Sequence, residues 1–116
     1  MRRWCWSSIQ QCSGLNSAQS PGHAHWKALC TQAAGLFSIV FDARFGPAQI
    51  DAFLDALRLY KLGYSWAGPV SLVVPYDLSV LRPTSGQRGT LVRFSIGLEG
   101  VDDLIQDACQ ALAALA

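Results

Sequence analysis

Two short segments hold the side chains best suited to chemistry. The first is LVRFSIGL (91–98), where Val92, Phe94, Ile96 and Leu98 fall on one side of a strand and Arg93, Ser95 and Gly97 on the other. A strand would present Arg93 rigidly, opposite the apolar face. Its planar fork of donors suits bidentate binding of a carboxylate. From spacing alone, a solvent-facing strand arginine is the commoner case, and that opposite face is either solvated or part of a cleft. The second segment is GYSWAGP (63–69), in which two glycines bracket Tyr64, Ser65 and Trp66. It displays aromatic and hydroxyl groups, although a structural turn with one buried aromatic is the commoner reading.

Other chemistries find no support in the residue pattern. Gly63, Gly68, Gly86 and Gly89 fit neither the phosphate-loop nor the dinucleotide spacing, and no GxSxG elbow occurs. His23 and His25 flank Ala24 and could share a metal on a strand, but no third ligand is apparent, so an exposed loop is expected. The only lysines are Lys27 and Lys61. Nothing around either supplies the environment a Schiff-base lysine needs. Lys61 follows a predicted helix end, where a cation is favourable. Cysteines at 5, 12, 30 and 109 show neither CxxC spacing nor a zinc-like Cys/His set. Cys109 is expected as a buried free thiol, in a reducing cytoplasm. Spacing alone thus assigns no catalytic residue, no metal ligand and no cofactor-binding residue.

The elements that would position these segments follow from periodicity. LFSIVF (36–41) reads as a well-buried strand. Gly46-Pro47 opens a helix over 47–59, with Ile50, Phe53, Leu54 and Leu57 in one apolar stripe. SLVVPY (71–76) reads as a strand whose Pro75 suggests an edge. After LVRFSIGL, a final helix carries Val101, Leu104, Ile105, Ala108, Leu112 and Leu115 inward, with Asp102 and Asp103 in its first turn. The expected fold is α+β, a small, mostly antiparallel sheet with helices packed on one face. Residues 1–20 show no periodicity and read as a poorly ordered leader, leaving 21–116 as the folded domain.

Composition bounds the partners. The chain has 116 residues, enough for one domain, and 51% of them are hydrophobic, which excludes a disordered chain. Nine Lys and Arg face eight Asp and Glu, so nothing favours nucleic acid, and no apolar run is long enough to cross a bilayer. Residues 1–41 contain Arg2, Arg3 and Lys27 and no acid, and the chain changes character near Asp42.

Read together, the two chemical segments carry a resemblance. LRLYKLGYSWAGPVSLVVPY (57–76), followed by GTLVRFSIGLEGVDDLIQDACQAL (89–112), resembles the C-terminal domain of the cystathionine beta-lyases. These are pyridoxal-phosphate-dependent enzymes of Cys/Met metabolism, of fold type I. SPGHAHWKALCTQAAGLFSIVF (20–41) resembles the lead-in to that domain. The resemblance runs from about Pro21 to Leu112. It implies that Arg93 binds the substrate's α-carboxylate, that Ser65 lies near the same carboxylate, and that Tyr64 and Trp66 line the entrance. It further implies that pyridoxal phosphate is the parent family's cofactor. The lysine and the other groups that hold the cofactor belong to a larger domain without counterpart here, so no cofactor is expected on this chain alone. The implied function is the substrate clamp of a carbon–sulfur lyase that converts cystathionine to homocysteine, pyruvate and ammonia. The implied partners are the amino-acid substrate and the larger domain, or self-association through the uncovered face. A different class, a stand-alone amino-acid-binding regulatory module, suits the same element order. Gly100 departs from the family, which often has Asp at that helix N-cap.

Overall fold

The computed structural model describes residues 22–30 and 34–115. A short helix α1 (His23–Leu29) is followed by β1 (Leu36–Val40), α2 (Pro47–Ala56), β2 (Lys61–Leu62), β3 (Leu72–Asp77), α3 (Leu78–Leu81), β4 (Thr90–Ser95) and α4 (Val101–Leu112). The strands form one sheet in the order β1-β4-β3-β2. β4 pairs antiparallel with β1 and β3, while β2 runs parallel to β3. The fold is therefore α+β as expected, with a mixed sheet because of that short parallel pair. The expected leader over 1–20 lies outside the described residues. His23 and His25 fall in α1 rather than in a loop.

One face of the sheet carries the core. Ile39, Val73, Val92 and Phe94 point to it and pack against Ile50, Phe53 and Leu54 of α2 and Leu104, Ala108 and Ala111 of α4. Fully burying each large apolar side chain is worth about 1.5–3 kcal/mol. Rings reinforce the seam, with Phe37 stacked on Phe94 at 5.3 Å and Tyr60 edge-on to Phe94 at 5.6 Å. Burial pushes the Tyr60 phenol's pKa far up, and the charges of Asp107 and Glu99 add to that.

Four sequence-based expectations need correction. LFSIVF is an edge strand, not a well-buried one, and Leu36, Ser38 and Val40 are exposed on its outer side. SLVVPY is flanked on both sides in its first half, where β2 pairs with Leu72 and Val73. Pro75 nevertheless meets the edge rule. The carbonyls of Ser71 and Val73 face β2, so two residues on the missing N–H points past the end of that strand. In LVRFSIGL the strand ends at Ser95; Ile96 still packs against the core as its alternation required, but Leu98 is exposed. Cys109 is half-buried and disulfide-bonded rather than a free thiol.

Helix α2 ends three residues before its apolar stripe suggests, and α4 is the cause. Asp107, buried on α4, accepts hydrogen bonds from the backbone N–H groups of Arg58 (2.9 Å) and Leu59 (2.8 Å). Those donors would otherwise continue the helix. Gln110 donates from the same face of α4 to the carbonyl of Ala56, and Lys61 Nζ donates to the carbonyl of Arg58 at 2.8 Å. The exit of α2 is thereby turned toward β2 and the loop beyond it. Asp107→Ala strands two amide donors at this turn. It should lower stability by about 1–3 kcal/mol, with Asp107→Asn losing less; the midpoint of urea unfolding measures both.

Candidate substrate-anchoring site

Arg93 sits at the centre of the sheet face opposite the core, between Ser38 of β1 and Val74 of β3. Its side chain is half-buried. Nη2 donates to the carbonyl of Tyr64 through a short hydrogen bond and more weakly to the carbonyl of Ser65 at 3.4 Å. Nε is buried and has no hydrogen-bond partner. Both partners are neutral carbonyls, so they orient the guanidinium without neutralising it. An orphaned donor on a charged group is costly to keep buried. A carboxylate on that side would satisfy it, after a local shift to uncover the atom.

The loop 63–70 lies over this face and presents the other three sequence-predicted site residues. Tyr64 is 76% exposed and Trp66 60%, so neither is the buried aromatic of an ordinary turn. Tyr64 leans edge-on toward Tyr76 of β3, with ring centroids 6.4 Å apart. Ser65 is exposed beside them. The structure thus brings Arg93, Tyr64, Ser65 and Trp66 into one region, with the arginine gripped by backbone of the loop that bears the other three.

The loop is held by Ser95 and Gly97, which the strand alternation places on the Arg93 side, and by Ser71 and Glu99, which sequence reasoning passed over. Ser95 is buried, and its Oγ accepts from the N–H of Ala67 at 3.1 Å. Ala67 is the only non-glycine with positive φ (59°) among the described residues, a conformation that costs roughly 1–2 kcal/mol for an L-residue. The N–H of Leu98 donates to the carbonyl of Pro69 at 2.8 Å. Ser71 is fully buried and donates from both N and Oγ, at 2.7 Å each, to the two oxygens of Glu99. The N–H of Gly97 donates in turn to Ser71 Oγ at 2.9 Å. A Cβ at Gly97 would overlap the carbonyl oxygen of Pro69 and sit 2.6 Å from the carbonyl carbon of Val70, so this close approach admits only glycine. A serine opening one strand and an acid following another carry no spacing signal of their own, which is why Ser71 and Glu99 were missed.

Pyridoxal phosphate fits none of the described residues. Lys27 and Lys61 are exposed, and Lys61 is committed to the Arg58 carbonyl. A lysine that carries this cofactor sits in an enclosed site beside it. Asp107, the buried carboxylate of the core, is already occupied by Arg58, Leu59 and Gln110 and is unavailable to a pyridine nitrogen. No helix among the described residues is long and apolar enough to cross a membrane.

The architecture is a small α+β domain with a half-buried arginine on its open face, and its solved counterparts occur within much larger enzymes. Cystathionine gamma synthase from Xanthomonas oryzae pv. oryzae superposes with a TM-score of 0.70 at 24% identity, covering 94% of this chain and 32% of that one. The match therefore establishes the fold, that of a domain of the larger enzyme. In sequence, cystathionine beta-lyase of Salmonella typhimurium is 43% identical over 99 residues, which is 81% of this chain and 25% of the enzyme. Cystathionine beta-lyase MetC of Escherichia coli is 40% identical over 94 residues, 76% of this chain and 24% of that one. The family described as Cys/Met metabolism PLP-dependent enzyme matches residues 9–113, and this chain belongs to it. The match begins inside the segment expected as a leader. The chain spans about a quarter of the length of the curated relatives it matches.

Glu99 gives the anchoring loop a pH dependence. Its burial raises the carboxyl pKa, but the N–H and O–H of Ser71 outweigh that, and the net pKa lies below the ordinary value. A pKa lower in the folded than in the unfolded chain adds stability above the unfolded value, about 4.3. That contribution is lost as pH falls through the folded value. The thermal midpoint of the wild type should therefore fall more steeply than that of Glu99→Gln between pH 6 and pH 3. Parallel curves would contradict the assignment.

Proposed function

We propose that this domain supplies the substrate α-carboxylate clamp of a cystathionine beta-lyase-type carbon–sulfur lyase. The parent reaction is the pyridoxal-phosphate-dependent α,β-elimination of cystathionine to homocysteine, pyruvate and ammonia. The observation that carries the reading is the unpartnered, buried Nε of Arg93 on a guanidinium held by neutral carbonyls alone. Such a group is oriented for an anion and uncompensated without one.

In this reading Arg93 takes the α-carboxylate in its donor fork. The exposed hydroxyl of Ser65 donates to the same carboxylate, and Tyr64 and Trp66 wall the approach. Fixing that end of the amino acid sets the direction of its Cα–H bond, so binding energy far from the breaking bond goes into orientation. The described residues fit no cofactor, and in this reading the elimination chemistry belongs to polypeptide corresponding to the other three quarters of its relatives. That polypeptide is also the natural cover for the open face, where Leu36 and Val40 stand exposed around the site.

The test uses a chimera in which residues 21–113 replace the matching segment of the Salmonella typhimurium enzyme, with pyruvate release from L-cystathionine as readout. The chimera should turn over. Arg93→Ala should raise its KM at least about 30-fold, which corresponds to about 2 kcal/mol of lost charge-assisted hydrogen bonding. The 116-residue chain alone should release no pyruvate. Turnover by the chain alone, or a chimera indifferent to Arg93→Ala, would overturn the proposal. Saturable binding of L-cystathionine by the chain alone, abolished in Arg93→Ala, would point instead to the amino-acid-binding module.

A further inference from the structure

The segment that carries Arg93 and the loop that grips it are joined along their whole length. Running parallel, Arg93 holds the carbonyls of Tyr64 and Ser65, Ser95 holds Ala67, Leu98 holds Pro69, and Glu99 with Gly97 holds Ser71. The last of these junctions is the only one with a charged acceptor, and it is bidentate. At the other end of the loop, the N–H of Gly63 donates to the carbonyl of Val73 at 3.0 Å, as an extension of the β2–β3 pairing. The loop is thus closed at one end by a two-residue strand and at the other by Glu99.

We infer that Glu99 is a positioning residue for the anchoring site: by locking Ser71 against the exit of β4, it fixes the loop whose carbonyls aim the Arg93 guanidinium. This rests on the clamp reading of Arg93. Glu99 bonds Ser71 and makes no contact with the guanidinium; the loop and the backbone of 93–99 lie between them. Charge-assisted hydrogen bonds are about twice as strong as neutral ones, so this junction is the one best able to hold a loop that also contains a strained Ala67. Releasing Ser71 frees Pro69 and Ala67 to relax, and with them the carbonyls at 64 and 65. The guanidinium then loses its orientation while keeping its charge.

Amide hydrogen exchange on the full chain reads the coupling without any ligand. In Glu99→Gln, exchange at Ala67 should rise at least about tenfold, and the Arg93 Nε–H resonance should move. Exchange at Val92 and Phe94, which lie in the core, should change less than about twofold. Ser71→Ala removes one of the two bonds and the acceptor for Gly97, and should give the same pattern at smaller amplitude. In the chimera, Glu99→Gln should raise KM for L-cystathionine by about tenfold with kcat within about twofold. Unchanged exchange at Ala67 in both variants would overturn the inference, as would a rise shared equally by Val92 and Phe94, which would mark a merely structural role. A response in exchange without a rise in KM would overturn it too, while Arg93→Ala continued to support the clamp. If instead Arg93→Ala left KM unaltered, the clamp reading would fall on its own, and the exchange data would still decide the link from Glu99 to Arg93.

Discussion

An arginine held by carbonyls is the constraint on which this structure turns. Backbone carbonyls orient a guanidinium as well as a carboxylate does, but they leave its charge uncancelled. Arg93 is held in that way by Tyr64 and Ser65, with Nε left over. Had an acid of this chain paired with it, the site would be closed to an anionic guest. The cost of the arrangement is met by the rest of the domain. The core face is fully packed by α2 and α4, so the sheet is rigid where Arg93 emerges.

The two faces of the sheet follow different physical rules. The inner face is settled by apolar burial and by Asp107 and Gln110, which turn the end of α2 toward β2. At the centre of the outer face Arg93 and Ser95 are hydrogen-bonded to the loop beside the buried Val74, with exposed apolar side chains around them. Loop 63–70 bridges the two systems: it starts from the turn that Asp107 caps and ends at the serine that Glu99 holds. A substitution deep in α4 could therefore disturb an outer-face site by way of the α2 exit.

Much of the inner face was legible in the sequence. The stripe Ile50, Phe53, Leu54 and Leu57 is buried as its spacing required, and Val92 and Phe94 point inward as their alternation required. What periodicity could not show was any boundary set by a distant polar side chain. Helix α2 stops early because Asp107 takes its next donors, and the inward alternation after β4 holds through Ile96 and fails at Leu98, where the backbone is bonded to Pro69 of the loop. The four site residues were picked out by chemistry and resemblance, and the structure groups them. Alternation placed Ser95 on the Arg93 side, but the partners of Ser71, Ser95 and Glu99 were illegible because they lie 26 to 28 residues away in sequence. Cys109 failed for the same reason, since its position on an apolar stripe says nothing of its disulfide.

Family membership gives the domain a context of larger enzymes that use pyridoxal phosphate, and the described residues offer that cofactor no seat. In the proposed reading, anchoring and bond-breaking are tasks of different polypeptide regions, and this chain supplies the first. The most direct measurement is a crystal structure of the chimera with glycine, an α-amino acid without a leaving group, soaked into it. The glycine carboxylate should lie within hydrogen-bonding distance of Arg93 Nε, with Tyr64 and Ser65 still holding Nη2. A carboxylate bound elsewhere, with Arg93 Nε still unpartnered, would contradict the clamp reading.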